Sequence, residues 1–396
     1  MSTAAPPSAP GPQGGEPGAV GAPAPTGAAP PVVAVVVTRN PGPFLEETLT
    51  ALGAQDYPAL TVLVVDAGSR QDPTVRIGRA LPTAFVRRVI GDPGFGGAAN
   101  EALPAIEGAT FLLVCHDDVA LEPEAVSVMV GEAYRSNAAI VGPKLVEADN
   151  PGVLLDVGRA IDRLGGSHTG IEPGEVDQEQ HDGVRDVFYV SSAAMLVRAD
   201  LFRELGGFDP DAFPGSEDLD LCWRARLAGA RVMVAPDARG RHHEAARLRG
   251  DNDVPDVQDV ARARVRVILT CYSTTTLLWV VPLGLVVTFI EAIVFLPTRR
   301  RRVAGAGFGA WWWNLLHFGR VRRARRDAQS RRTIHDGDLH ELQAGVGARV
   351  GAFLAHRHAD ERLQSLGDRM RAGSESFGEA LRTPAAIALR GTGTIP

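Results

Sequence analysis

Acids and histidines stand in this chain where a run of buried-type residues has just ended. Thr110 to Val114 reads TFLLV, and Cys115-His116-Asp117-Asp118 follows. Leu60 to Val65 reads LTVLVV, and Asp66-Ala67-Gly68-Ser69 follows. Further on, Gly206-Gly207-Phe208-Asp209 and Pro214-Gly215 lead into Glu217, Asp218 and Asp220, with the helical pattern LCWRARLAG behind them. His242 and His243 come after Val232-Met233-Val234, a short strand that Pro236 is expected to break. Carboxylates in the first turn of a helix complement its dipole and need no other reason to be there. Carboxylates and an imidazole gathered on one rim of a sheet can also hold a divalent cation or move a proton. Neighbouring residues at a strand end face opposite ways, so only one of Asp117 and Asp118 need enter a cleft.

The elements that must carry these residues alternate between strand and helix. Val32 to Val37 is a continuous β-branched run, the pattern of a strand buried on both faces. Thr38-Arg39-Asn40-Pro41-Gly42 is its turn, and Phe44 to Ala54 has apolar residues at helical spacing. With the LTVLVV strand this makes a right-handed βαβ unit whose turns share the C-terminal edge of a sheet, where ligands bind. Phe85 to Ile90 predicts a third strand, followed by a glycine-rich loop that includes Gly96 and runs up to Asn100. Pro123 to Ser136 predicts a helix, Ala139 to Pro143 a strand, and 146–187 an antiparallel flap or an acceptor-side loop rather than a second domain. The fold class is α/β. The first turn has no GxGxxG, which argues against a dinucleotide cradle. A nucleotidyltransferase needs a basic pyrophosphate loop there, and 38–44 offers only Arg39. Asp66 alone reads equally as a turn cap or as the acceptor of a bond from a ribose or base.

The 396 residues are 45% hydrophobic, enough for a large core, and the net charge of −6 argues against a nucleic-acid binder. Cys115, Cys222 and Cys271 form no CxxC, so neither a disulfide framework nor a zinc site is expected, and reduced, cytosolic surroundings fit best.

Taken in order, Thr38-Arg39-Asn40, Val65 to Ser69, Gly94-Phe95-Gly96 with Asn100, His116-Asp117-Asp118, Gly206 to Asp209, Glu217 to Asp220 and His242 resemble family 2 glycosyltransferases. The resemblance spans roughly 31–250 and is nearest the rhamnosyltransferase-like branch that acts on bacterial cell-envelope glycans. It implies a GT-A fold, a Rossmann-like mixed sheet flanked by helices. It also implies a nucleotide-diphosphate sugar donor, a glycan or lipid-linked acceptor, and inversion at the anomeric carbon. Asp66 matches the aspartate that reads the nucleobase, with Thr38 and Asn40 lining that pocket. Gly96, Asn100 and Asp117 fall beside the nucleotide. Asp118 matches the last aspartate of a metal-binding triplet, and His242 a histidine near the diphosphate, so both are assigned to Mg²⁺ or Mn²⁺. Asp218 matches the catalytic base and Glu217 its partner, expected to raise the base's proton affinity as a neighbouring like charge. Arg39 departs from the usual tyrosine, and His116 from the usual first acid of the triplet. The rival from another class is a silent scaffold that binds a glycan or partner without turnover.

Residues 1–30 are Ala/Pro/Gly-rich and expected to be a disordered tail. Residues 251–270 read as a linker helix, and 271–332 as transmembrane or interfacial segments with basic flanks. Cys271 to Leu296 holds one charge, Glu291, and Trp311-Trp312-Trp313 lies between arginine clusters. Residues 333–396 read as peripheral helices and a loose tail. A membrane protein whose catalytic domain faces the cytoplasm is expected, since it would use cytosolic sugar nucleotides.

Overall fold

The computed structural model describes residues 28–244, 256–295 and 301–345. The stretches expected to be a disordered tail and a loose C-terminal tail lie mostly outside those residues. The order is β1 (Val32–Thr38), α1 (Leu45–Gly53), β2 (Leu60–Asp66), α2 (Thr74–Ala80), β3 (Phe85–Arg88), α3 (Gly94–Asn100), β4 (Phe111–His116), β5 (Val119–Leu121), α4 (Ala125–Arg135) and β6 (Ile140–Glu147). The excursion follows as β7 (Leu154–Asp156), β8 (Ala160–Ile161), β9 (Ser167–His168) and β10 (Arg185–Asp186). Then come β11 (Ala194–Arg198), α5 (Ala199–Glu204), α6 (Glu217–Leu227) and β12 (Val232–His242). Four more α-helices follow: α7 (Val257–Cys271), α8 (Thr274–Phe295), α9 (Arg301–Leu316) and α10 (Phe318–Ser330).

The main sheet runs β10-β12-β6-β11-β4-β1-β2-β3. Strands β3, β2, β1 and β4 are parallel, while β11 lies antiparallel between β4 and β6. Alternation along the strands divides the core. Val35, Val37, Val65, Leu112 and Val114 point to one face with Ala98, Ala99 and Trp223. Ala34, Val36, Val64, Leu113 and Cys115 point to the other with Leu45, Leu49, Val126 and Met129. Each large aliphatic side chain contributes about 1.5–3 kcal/mol on burial, which explains why polar residues gather at the strand ends.

One feature differs from the sequence reading. Pro236 does not end its strand: β12 continues to His242 across a register shift between Ala235 and Arg239. A bulge tolerates the missing N–H of proline, and the resumed strand pairs His242 with Val119 of β5. His242 is therefore fixed by a ladder, not carried on a loop. Most of the stretch read as a linker helix is α7, which buries Val265, Val267 and Ile268. The ring of Tyr272, which follows it, meets Trp223 edge-on at 4.9 Å, and Arg266 Nη2 donates to Asp209 at 2.5 Å. Helix α10 closes the C-terminal end of α7, where Gln329 Nε2 donates to the carbonyls of Thr270 and Cys271, both at 3.0 Å.

The polar excursion is held by a buried cation. Lys144 is 1% exposed, and its ammonium donates to both oxygens of Asp177 at 3.0 Å and to Asp182. Arg239 donates to Asp177 at 2.7 Å, so an otherwise costly buried charge is paired.

Candidate active site

The C-terminal ends of β1 and β4 lie side by side, since Val37 is in register with His116. Thr38 Oγ1 donates to Asp117 Oδ2 at 2.5 Å, so these two side chains satisfy one another at the sheet edge. Asp118 is turned the other way and is 6% exposed. Its Oδ1 lies 3.2 Å from His242 Nε2 and 3.9 Å from His116 Nδ1. One ligand atom from each of His116, Asp118 and His242 falls within 4.8 Å of the others, a spacing that can hold a cation. Burial is the main cause that pushes the His116 imidazole down to about 4, with His242 and Arg159 adding to it against the pull of Asp118. A neutral imidazole is the form that ligates metal. In the sequence His116 stands out only as a departure from an acidic triplet. The signal that it faces its partner is the two-residue spacing to Asp118 at a strand end. The adjacent His243 serves the scaffold instead. Its ring stacks on Phe44 at 3.7 Å, and its Nε2 lies 2.9 Å from Glu47.

Asp218 sits in the first turn of α6, 6% exposed. It accepts from the N–H of Leu219 at 2.7 Å and of Ser192 at 3.4 Å. Ser192 precedes β11, and the next residue, Ala193, accepts the N–H of His116 at 3.0 Å. The antiparallel pairing of β11 with β4 thus links the backbone that holds Asp218 to the backbone of His116. Burial raises the Asp218 carboxyl above its ordinary range and Asp156 adds to that, while Arg159 and two backbone N–H groups lower it. Burial leads here, and the like charge that adds to it is that of Asp156 rather than that of Glu217 expected from the sequence. Glu217 itself is pushed up to about 7, first by burial and secondarily by Asp218. Asp220 belongs to a structural pair, accepting from Arg224 Nε at 2.7 Å, while Arg224 also holds the carbonyls of Leu205 and Gly207.

Arg159, from the excursion, is a residue that no sequence motif singles out. It pairs with Asp156 and its guanidinium lies 5.9 Å from the Tyr189 ring centroid. Its charge is felt by both His116 and Asp218, which puts it near the imidazole cluster and the buried carboxylate alike.

The remaining site residues tie the rim together. Asp66 is fully buried, accepting from Ser69 N–H at 3.0 Å and Arg88 Nε at 2.8 Å. Asn40, at φ 47°, donates its N–H to Ser69 Oγ at 2.7 Å and accepts from Arg70 N–H at 2.9 Å, linking the first two turns. Gly68 must be glycine: at φ +76° a Cβ would lie 2.2 Å from the Gly91 carbonyl oxygen. Asn100 and Gly96 face protein. Both ends of the Asn100 amide bond the backbone of Phe208, donor and acceptor each at 2.8 Å. A Cβ on Gly96 would lie 3.0 Å from Phe208 Cβ and 3.2 Å from Glu217 Cγ. The glycine loop therefore seats α3 against Phe208 and Glu217. Phe95, on the same helix, meets His116 edge-on at 4.7 Å.

A mixed sheet with a parallel half, an antiparallel insertion and acids collected at one edge defines the GT-A class of glycosyltransferase scaffold. The family model described as "Glycosyltransferase like family 2" matches residues 30–270, and the chain belongs to that family. The match takes in nearly all of α7. The chain is 27% identical over 237 residues to the N-acetylglucosaminyl-diphospho-decaprenol L-rhamnosyltransferase of Mycobacterium tuberculosis, covering 54% of this chain and 76% of that one. It is 29% identical over 225 residues to the pre-mycofactocin glycosyltransferase of the same organism, covering 55% and 44%. Among solved structures, S. aureus TarS 1-349 in complex with UDP-GlcNAc superposes with a TM-score of 0.49 at 19% identity, covering 76% and 89%.

Proposed function

We propose that this chain moves a sugar from a nucleotide-diphosphate donor to a hydroxyl of a glycan or lipid-linked acceptor, with inversion at the anomeric carbon. The observation that carries this reading is the backbone link from a buried carboxylate, Asp218, through Ser192 and Ala193 to His116 of the His116/Asp118/His242 cluster in a family 2 chain. The donor's nucleobase end belongs at the Thr38, Asn40 and Asp66 turns, and Asp117 joins that side through Thr38. Asp218 accepts the proton of the acceptor hydroxyl as it attacks from the face opposite the leaving diphosphate. Leu219 N–H and Ser192 N–H hold the carboxylate in place, and Arg159 opposes the effect of burial on it. Glu217 positions the start of α6, bonding Ser216 N–H at 2.9 Å.

His116, Asp118 and His242 are the residues that would hold a divalent cation, and the donor set fits one. Two imidazoles with one carboxylate suit Mn²⁺ better than Mg²⁺, which prefers oxygen ligands. Such an ion supplies charge neutralisation for the departing diphosphate. The decaprenol-diphosphate rhamnosyltransferase among the relatives supports a lipid-linked acceptor, and helix α8, with a Thr274–Val294 stretch of mean hydropathy 2.4, supports membrane attachment. Cytosolic sugar nucleotides put the catalytic domain in the cytoplasm.

The test is incubation of the purified chain with a panel of nucleotide sugars and acceptor lipids, with Mn²⁺ and with EDTA. Nucleotide release and the anomeric configuration of the product are read. Tight donor binding with no nucleotide release under any condition would favour the silent scaffold instead.

A further inference from the structure

Helices α8 and α9 form a hairpin that leaves the catalytic domain and returns to it. A Cβ on Gly284 would lie 2.9 Å from Trp311 Cζ2, and one on Gly307 2.7 Å from Thr288 Cγ2. Contacts of 284 with 311 and of 288 with 307 run in opposite senses, so the helices are antiparallel. Trp311 Nε1 locks them by donating to Thr288 Oγ1 at 3.2 Å. The end of α9 is tied to the catalytic side: Asn314 Nδ2 donates to the Arg262 carbonyl at 3.1 Å, and Trp313 meets Phe213 edge-on at 4.9 Å.

The outer face of this hairpin is apolar and bare. Leu278, Val286 and Ile290 of α8 are exposed, as are Phe308, Trp312 and Leu315 of α9 at helical spacing. Only 17% of the most apolar window of α8 is buried, unlike the core helix of a soluble domain. At the base of the hairpin, α10 extends this face with charge. Phe318, Arg322 and Arg326 follow one another at i, i+4 and i+8, with Arg323 alongside. These three arginines are exposed and carry no ion pair among the described residues, whereas Arg320 pairs with Asp211 at 3.5 Å and Arg325 donates to the Leu269 carbonyl at 2.9 Å. The opposite side of α10 buries Val321 and Ala328.

We propose that this face is seated on an anionic lipid leaflet. The hairpin buries its outer face among acyl chains from the side of the catalytic domain, Trp312 and Phe318 lie at the headgroup boundary, and Arg322, Arg323 and Arg326 bind lipid phosphates. Guanidiniums beside an apolar face complement phosphate above acyl chain; the same face of a second copy would not supply the negative partner. The proposal rests on the membrane attachment argued above and not on sugar transfer.

The test is flotation of the full chain with vesicles of phosphatidylcholine alone or with a third phosphatidylglycerol. Wild type is expected to partition at least about tenfold more strongly onto the anionic vesicles, and concentrated salt is expected to remove that preference. The Arg322→Gln/Arg323→Gln/Arg326→Gln variant is expected to lose the preference while keeping its binding to phosphatidylcholine. Trp312→Gln/Leu315→Gln is expected to weaken binding to both vesicle types. A wild type with no anionic preference, or a salt-insensitive one, overturns the role of the arginines even if the triple variant does not fold. A chain that stays off both vesicle types and sediments as a dimer gives the face to a second copy, and the membrane attachment fails with it.

Discussion

The backbone N–H of Ser192 lies 3.4 Å from a carboxylate oxygen of Asp218, although 26 residues separate them. Because Ala193 next to it bonds His116, three consecutive links join the buried acid to the imidazole cluster. The proposed base and the proposed cation site are thus two sides of one strand pairing, β11 against β4.

Asp218→Asn keeps the shape of the side chain and removes the base. Transfer is expected to fall by about 10²–10⁴-fold, with donor affinity within a few-fold of wild type by calorimetry. Transfer at the wild-type rate would remove Asp218 from the mechanism.

His116→Ala and His242→Ala each delete one of three prospective ligands. Mn²⁺ affinity, read by electron paramagnetic resonance without any substrate, is expected to drop by at least about tenfold in either variant. If only His242→Ala had an effect, His116 would be a packing residue against Phe95.

Arg159 lowers the proton affinity of Asp218. Arg159→Gln should therefore move the acidic limb of the kcat/KM profile to higher pH, because the base must be unprotonated. Arg159→Lys is expected to restore part of the shift. A profile that falls in height without moving along the pH axis would make Arg159 a substrate contact instead.

Glu217 is held near 7 in the folded chain against 4.5 for its ordinary value. Its folded pKa is the raised one, so its contribution to stability is fully present below about 4.5 and is lost as pH rises through about 7. The loss is on the order of 3 kcal/mol. Glu217→Gln should flatten the fall in unfolding temperature across that window; an unchanged fall would place the pH dependence elsewhere.

Asn100→Ala breaks both bonds to Phe208 and leaves buried backbone groups unpaired, at a cost of about 1–3 kcal/mol. Thermal unfolding should show it. An unaltered melting temperature with tenfold weaker donor binding would return Asn100 to the nucleotide.

Much is legible in one dimension because strand burial has a short-range signature. The runs at Val32, Leu60 and Phe111 can satisfy their apolar faces only inside a sheet, and the polar turns after them have to share its edge. The order of the turns points to the family, and the acids at the head of α6 are visible from the residues alone. What the sequence could not decide depends on contacts between distant segments. The bulge after Ala235 turns a strand-breaking proline into the device that aligns His242 with Asp118. The excursion's pairing brings Arg159 to Asp218, and the α3 packing turns Asn100 and Gly96 inward. The tryptophan run divides for the same reason: Trp311 turns to α8, Trp313 to Phe213, and Trp312 alone is left 62% exposed. Local pattern fixes which residues are buried, but the direction of each side chain is set by what packs against it.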